Sequence, residues 1–430
     1  PGGPGIGVSY SADGGQNWSS SQLALPIGST GLPLIDNFDP TITADDSGNV
    51  FVAHIATDGN WAVGPESSLV VNRSSDGGVT WTGPLIVDLE LPPVSNPDPA
   101  YRFNDRCQIW VDRNSSSPHY NNIYIAWIKD RGWNSPQPWS DIYISISNDG
   151  GANFSAASQI NNMNNDMGNM PVPTVAANGD LYVLWMNYNV ITGGNGTIFF
   201  NRSTDGGINW GTDTAINTIP LPPLWLYGGS DVLAKGASVI RAHPTNPNEL
   251  YVVYASDPDG AGPDEADIFF TRTVNAGVSW SNAIRINDDS TSNDQVLPWM
   301  DITPNGIINI VWYDRRNDGS DLTWDVYGAT SIDGGLTFVN NFMVNALSFP
   351  TPQPKNGLWF GEYLALSSDN NKGYVAFTSS LIDIQGDVFF SSFNNPILGI
   401  EDRIKRDVVL HPNPTTGILN IESETTITQI

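Results

Sequence analysis

Ser74-Ser-Asp76-Gly-Gly-Val-Thr-Trp81 belongs to a phrase that the chain repeats as S-x-D-G-G-x-x-(W/F), which we call the SxDGG motif. Successive copies are 56 to 73 residues apart, a spacing typical of proteins built from repeated structural units. Five copies are regular and one is degenerate. They occupy residues 11–18, 74–81, 147–154, 203–210, 331–338 and, in the degenerate form, 273–280.

The residue types of the motif predict a tight hairpin turn. An aspartate can accept hydrogen bonds from backbone N–H groups just ahead of it, and two glycines can adopt the positive φ values of a sharp reversal. Short extended runs such as residues 68–73 and 197–202 lie directly before the motif. The terminal Trp or Phe can fold back onto the hairpin, so we interpret the motif as structural.

A second pattern, an apolar strand followed by a polar turn and a more aromatic strand, recurs between the motifs. Together the two patterns give units of four short strands with almost no helical periodicity, which is typical of β-propeller blades. The sequence leaves six and seven blades open, and a third strand predicted at residues 388–393 slightly favours seven with a truncated first blade. The inner strand pairs are predicted at residues 39–54, 106–127, 172–185, 237–254, 298–312 and 363–377.

Composition limits the classes of partner. The 430 residues are 40% hydrophobic and 15% charged, and the net charge is -27. Such acidity argues against nucleic acid and anionic membrane surfaces. The single cysteine, Cys107, excludes an internal disulfide and fits a buried strand, and no apolar run is long enough to span a membrane. The chain opens at Pro1, from which we expect a processed or truncated product.

The chain divides into a propeller at residues 1–395, a charged linker at 396–406 and a different module at 407–430. Residues 407–421 contain a Pro-Asn-Pro turn, a glycine and an alternating strand. This stretch resembles the start of the C-terminal sorting domain of type IX secretion substrates, and we expect that domain to be cut short at Ile430, since such domains are longer. The resemblance implies recognition by the type IX machinery and export across the outer membrane of a Gram-negative bacterium, to the surface or medium.

The SxDGG motif resembles the Asp box of sialidases and related BNR-repeat propellers over residues 1–395. That resemblance implies a glycan or glycoconjugate partner, but the hairpin also occurs in propellers without catalysis. If the motif joins the third and fourth strands, the ligand site is expected on the opposite face. Three long loops are predicted there, at residues 129–140, 256–267 and 313–324.

Two of these loops contain Asp-Arg after a second strand, as Asp130-Arg131 and Asp314-Arg315. One interpretation is a salt bridge that locks each loop. The other is that the arginine binds a carboxylate or sugar hydroxyls while the aspartate acts as general acid or base.

A sialidase-like mechanism implies an arginine cluster, a tyrosine nucleophile assisted by glutamate, and an aspartate acid/base. Glu362 and Tyr363 are the adjacent pair at a predicted pocket rim, although neighbours on one strand point to opposite faces. The Arg-Ile-Pro element of such enzymes is absent. The arginines that could bind substrate are Arg106, Arg131, Arg315 and Arg316.

Exposed tryptophans on the predicted face could stack on sugar rings or fill gaps between blades. Trp133, Trp139, Trp324 and Trp359 are the candidates that we assign to substrate binding, and Trp61 and Trp225 lie in similar loops.

No cofactor is required by these motifs. The four histidines lack zinc-ligand spacing. Carboxylates at Asp257, Asp259, Asp264 and Asp267 could hold Ca²⁺, although a solvated acidic loop fits the same residues.

Two hypotheses follow from the sequence. The first is a secreted, sialidase-like propeller that engages glycans as a glycoside hydrolase of the exo-sialidase type. The second, favoured by the incomplete catalytic set, is a non-catalytic propeller that binds a glycan or a protein at the cell surface.

Overall fold

The computed structural model describes residues 5–133, 139–162, 168–188, 194–222, 237–258, 260, 266–320, 322–352, 363–384, 386–396, 408–411 and 420–423. Within these ranges the chain forms antiparallel strands and no helix. The described residues therefore contain no helix that could cross a membrane. The predicted all-β propeller is confirmed, and its repeated sheets follow one another as six blades.

Each blade takes its strands in chain order from the axis outward. Blade 1 is β3 (Asp36–Ala44), β4 (Val50–Thr57), β5 (Ser67–Ser74) and β6 (Thr82–Glu90); blade 2 is β7 (Asp98–Val111), β8 (Ile123–Trp133), β9 (Trp139–Ser147) and β10 (Ser158–Gln159); blade 3 is β11 (Gly168–Val175), β12 (Leu181–Tyr188), β13 (Asn195–Ser203) and β14 (Thr214–Pro220).

The second half of the ring repeats this order. Blade 4 is β15 (Ser238–Ala242), β16 (Leu250–Ser256), β17 (Asp267–Thr273) and β18 (Ile284–Arg285); blade 5 is β19 (Gln295–Ile302), β20 (Ile308–Asp314), β21 (Thr323–Ser331) and β22 (Phe342–Met343), with β23 (Phe349–Pro350) also paired to β21; blade 6 is β24 (Ala365–Ser368), β25 (Lys372–Ser379) and β26 (Asp387–Asn394).

The structure corrects the slight preference for seven blades. The first SxDGG motif lies in a separate hairpin of β1 (Gly7–Tyr10) and β2 (Ser19–Gln22), whose strands pair with each other and with no other described strand. Ile6 and Leu23 beside that hairpin pack on Val52 of blade 1, and Trp18 contacts Phe390 of blade 6 at 5.2 Å between ring centroids. The hairpin therefore packs at the junction of the first and last blades.

The predicted C-terminal module is described only in part. Its β27 (Val408–His411) and β28 (Asn420–Ser423) pair antiparallel, whereas residues 397–407 and 412–419 lie outside the described ranges. Its proposed role in secretion stays a prediction.

The SxDGG motifs of the blades form the turns between third and fourth strands. In blade 1, Ser74 Oγ donates to Asp76 Oδ1 at 2.7 Å and accepts from the Gly78 N–H at 2.8 Å. Gly77 and Gly78 have φ of 72° and 93°, the left-handed conformation that glycine adopts at little cost. Trp81 Nε1 donates to the Gly78 carbonyl at 3.1 Å, so the aromatic ring folds back as predicted.

These turns share one face with the turns between first and second strands. Gly206 of the blade 3 motif lies so near the β7–β8 turn that a Cβ there would meet the His119 ring at 2.7 Å. We call this side the SxDGG face. The loops that join second to third strands, and one blade to the next, reach the opposite face.

We expect Ser74→Ala to lower the free energy of unfolding by about 1–2 kcal/mol, because it removes a buried hydroxyl that bonds two partners. Urea denaturation at neutral pH measures this loss. Ser11→Ala is the matched control, since Ser11 makes the same two bonds in the more exposed N-terminal hairpin. Equal losses of unfolding free energy in the two variants would show that burial does not determine how much these hydroxyl hydrogen bonds contribute.

Acid should weaken these turns in a defined pH window. Hydrogen bonds from the Thr80 side chain, the Thr80 N–H and the Ser74 hydroxyl lower the pKa of Asp76 from 3.8 to about 2. A depressed carboxyl pKa contributes stability that is fully present above the unfolded value and is lost as pH falls through the folded value. Unfolding free energies should therefore decline between pH 3.8 and 2. The decline of the unfolding free energy with falling pH should be shallower in Asp76→Asn. An identical pH profile in the variant would contradict the assignment of this decline to Asp76.

Candidate functional site

The innermost strands of four blades carry a β-bulge where they start at the face opposite the motifs. Register shifts occur in β3, β7, β11 and β19, and each bulge holds a non-glycine residue with φ between 50° and 53°. Bulges redirect side chains and are common beside active sites. The four residues in this left-handed conformation are Asp39, Arg106, Met170 and Leu297.

Equal register places these residues at one level around the axis. In each of these blades, the residue two positions further along the innermost strand pairs with the fourth residue of the second strand. In blade 1, for example, Thr41 follows Asp39 by two positions and pairs with Ala53. In blade 6 the count starts at Gly373, which pairs with the last residue of β24 as Val50 pairs with Ala44, and Tyr363 is then the equivalent residue. Arg106 and Tyr363 therefore lie at one level, and their assignment to substrate stays a prediction. Glu362 lies outside the described residues.

Two carboxylates contact Arg106 at this level on blades 1 and 2, and a third, Asp130, lies nearby on blade 2. The Arg106 N–H donates to Asp39 Oδ2 at 3.1 Å and to Asp105 Oδ1 at 3.1 Å, and Arg106 Nε lies 3.6 Å from Asp105 Oδ2. Asp130 follows on the paired strand β8, where it faces Phe103 and accepts a hydrogen bond from the Ser140 hydroxyl. We call Asp39, Asp105, Arg106 and Asp130 the carboxylate cluster.

The electrostatics of the cluster favour a protonated Asp130 near neutral pH. Burial, followed by the charge of Asp105, raises the pKa of Asp130 to about 7, against the opposing effects of Ser140 and Arg106. A carboxyl group with such a pKa can donate a proton to a leaving group, and a second carboxylate nearby can serve as a base or stabilise positive charge. This arrangement has the groups that glycosidic bond cleavage needs.

Aromatic rings adjoin the cluster. Phe38 precedes Asp39 in the sequence, and Phe103 pairs with Asp130 across the strands. The two phenyl rings stack at 6.3 Å between centroids, and Trp61 packs on Phe103 at 5.6 Å. Trp61 is 47% exposed, and Asp36 Oδ2 accepts from its Nε1 at 2.9 Å, which holds the indole in place. A fixed, exposed aromatic surface beside carboxylates suits the apolar face of a sugar ring.

The predicted arginine of the same loop has a structural partner. Arg131 forms an ion pair with Asp141 of β9, and Gln159 Nε2 also donates to that carboxylate at 3.3 Å. The guanidinium is thus held along the sheet of blade 2. Trp133 and Trp139 lie in the paired ends of β8 and β9, but their side chains are outside the described part of the chain.

The second Asp-Arg loop is built differently. Asp314 is fully buried, accepts from Trp312 Nε1 at 2.7 Å and pairs with Arg316 at 2.8 Å. Arg315 is also fully buried, lies 3.3 Å from Asp294 Oδ2 and stacks on Trp324 at 3.8 Å. In this conformation Asp314, Arg315 and Trp324 present no surface to a ligand, and the ion pairs of the loop join Asp314 to Arg316 and Arg315 to Asp294.

Register explains why two identical dipeptides differ. Ala126 and Val311 occupy the same level of their second strands, so Trp127 corresponds to Trp312. Asp130 is therefore equivalent to Arg315 and not to Asp314, an offset of one residue. Because side chains alternate between the two faces of a strand, that offset reverses their directions. Arg316 pairs with Asp288 at 2.8 Å and contacts the Tyr327 ring, on the outer part of blade 5.

The remaining predictions are only partly described. Trp359 lies outside the described residues, as do Asp259 and Asp264 of the acidic loop. Asp267 pairs with Arg285 at 2.7 Å and accepts from Asn287 Nδ2 at 2.7 Å, so its carboxylate is already engaged. Among the described residues no group of three His, Cys, Asp or Glu could hold a metal ion. The Ca²⁺ site stays a prediction.

Comparison with known proteins agrees with this architecture, although no family model matches the sequence. A sialidase of Bacteroides fragilis strain YCH46 is 28% identical over 151 residues, which form 30% of this chain and 28% of that protein. Hadza microbial sialidase Hz136 superposes with a TM-score of 0.53 at 13% identity, over 83% of this chain and 65% of that one. A variant of NanB sialidase from Streptococcus pneumoniae gives 0.50 at 10% identity, over 87% and 70%.

The protein has a sialidase-like β-propeller fold. It spans less than two thirds of the length of the Bacteroides and Hadza sialidases, so the similarity concerns the scaffold.

Titration of Asp130 tests the carboxylate cluster directly. We expect a ¹³C NMR midpoint near 7 for its carboxyl group, reduced in Asp105→Asn but still above 3.8 because burial persists. Since the two carboxyls interact, the midpoint belongs to the pair. A midpoint near 3.8 in the unmodified protein would show that Asp130 is solvated and unsuited to acid catalysis.

Proposed function

We propose that the protein is an exported glycoside hydrolase that cleaves a terminal sugar from a glycan at the carboxylate cluster. The feature that supports this most strongly is Asp130, which accepts a hydrogen bond from the Ser140 hydroxyl and whose pKa is raised to about 7 by burial and by the charge of Asp105. In this proposal Asp130 protonates the glycosidic oxygen as general acid. Asp105 stabilises the positive charge that develops on the sugar ring or activates water.

The chain's own groups would also orient the sugar. Trp61 and Phe103 offer apolar ring surfaces next to Asp130, and Arg106 can bind a carboxylate or a pair of hydroxyls. Exo-sialidase specificity is the finer form of the proposal, with Arg106 on the substrate carboxylate and Tyr363 at the same level as nucleophile. The sialidase-like fold is consistent with it.

Export is proposed on the resemblance of residues 407–421 to a type IX sorting domain. Recognition by that machinery would place the protein outside a Gram-negative cell, where glycans are accessible.

A panel of aryl glycosides that includes a fluorogenic sialoside tests hydrolysis. We expect Asp130→Asn and Asp105→Asn to reduce kcat/KM at least about 100-fold, the usual contribution of acid–base catalysis. Activity should fall as pH rises through about 7, because Asp130 must be protonated to act as an acid. Asp369→Asn is the matched control, since Asp369 lies in the β24–β25 turn on the SxDGG face. No turnover of any glycoside would reject the enzyme.

A non-catalytic glycan-binding propeller is the second candidate, favoured by one observation. Of the four predicted substrate arginines, only Arg106 lies in the carboxylate cluster, whereas Arg131, Arg315 and Arg316 are paired with Asp141, Asp294 and Asp288. Glycan-array binding that persists in Asp130→Asn but is lost in Trp61→Ala, without any turnover, would favour this function.

A further inference from the structure

A second set of charged residues lies in the central channel near the SxDGG face, at the opposite end from the carboxylate cluster. Register puts one residue of each innermost strand at this level, because each pairs with the second residue of its second strand, counted in blade 6 from Gly373. Three of them are small hydroxyl residues and three are large or charged. The level consists of Thr43, Trp110, Thr174, Arg241, Asp301 and Ser367.

The guanidinium group of Arg241 is buried at this level, and hydrogen bonds to protein replace only part of its lost hydration. It is only 6% exposed, and its Nη1 donates to the Ile240 carbonyl at 2.8 Å. Its Nε lies 4.0 Å from Asp301 Oδ1, which is too far for a hydrogen bond, and has no hydrogen-bond partner among the described residues. The guanidinium carbon lies 4.4 Å from the centre of the Trp110 ring, so the side chain extends across to blade 2.

A second guanidinium approaches from the channel mouth. Arg113 follows the end of β7, is exposed, and lies 5.6 Å from the Trp110 ring. Burial lowers the pKa of Arg241 to about 10, with Asp301 opposing the effect and Arg113 adding to it. Asp301 is itself engaged, since it accepts from the Ser368 N–H at 2.7 Å. The two guanidinium groups therefore lie near two buried carboxylates, Asp112 and Asp301, at this end of the channel.

Two cavities meet at these residues. One of about 350 Å³ occupies the channel above them, and one of about 340 Å³ opens between the turns of the SxDGG face. Trp110, Arg113, Arg241 and Asp301 line both. The volumes lie at the lower end of the range for small-molecule sites, which limits an occupant to about the size of one sugar or less.

We propose that this end of the channel binds a small monocarboxylate, held by the guanidinium groups of Arg113 and Arg241 against the Trp110 ring. Guanidinium N–H groups match the two oxygens of a carboxylate, and a desolvated donor without a partner gains most from an anion. A monoanion is proposed in place of a dianion because Asp46, Asp112 and Asp301 also line the lower cavity, and their repulsion of a bound anion grows with its charge. The site is separate from the carboxylate cluster and does not depend on hydrolysis.

Calorimetric titration with sodium glucuronate tests this site, and glucose is the neutral probe of matched size. We expect saturable binding of glucuronate, none of glucose, and at least about tenfold weaker binding of glucuronate to Arg113→Gln. Arg241→Lys retains the charge but lacks the planar fork, and should weaken binding similarly. Arg113 is exposed, so its variant remains informative even if the Arg241 variant does not fold.

Three outcomes would overturn the inference. Absence of glucuronate binding would do so, as would equal binding of glucose and glucuronate. Loss of binding in Arg106→Gln but not in Arg113→Gln would place the carboxylate at the opposite face instead.

Discussion

Mutual burial between neighbouring blades is the constraint on which the rest of the structure depends. A single small sheet has two apolar faces and cannot cover either by itself, so each blade needs a neighbour on both sides. The second strands show the result, because Trp127, Trp185 and Trp312 are all fully buried at equivalent levels. Each such side chain contributes roughly 1.5–3 kcal/mol. The SxDGG turns keep the outer strands in register so that these contacts repeat.

Repetition fixes levels around the axis but leaves the residues at each level free to differ. At the face opposite the motifs the level holds Asp39 and Arg106 in two blades and Met170 and Leu297 in two others. Nearer the SxDGG face, Arg241 and Asp301 lie in adjacent blades of a level that otherwise holds three hydroxyl residues and Trp110. The scaffold therefore places unlike side chains at equal heights, and chemistry arises from differences between the repeats.

The sequence predicts the scaffold well because its signals are local and repeated. Turn chemistry, alternation and spacing identify the blades, and Asp130 and Arg106 were predicted at the face where they lie. Blade count and the roles of Asp314, Arg315 and Trp324 were not predictable in the same way. They depend on closure of the ring and on a one-residue offset that only strand pairing reveals. Asp39, Asp105, Phe38 and Phe103 were missed because a bulge, not a motif, brings them together.

The strongly acidic character of the chain explains why burial matters at both ends of the channel. With a net charge of -27, an exposed arginine on this protein competes with many carboxylates for any anion. An arginine inside the channel is shielded from most of them by low-dielectric protein, so its interaction with one bound carboxylate is stronger. The same shielding holds the proton on Asp130, because the ionised form would lose its water beside Asp105. Anion recognition and proton retention are thus two consequences of placing few charged groups where solvent cannot screen them.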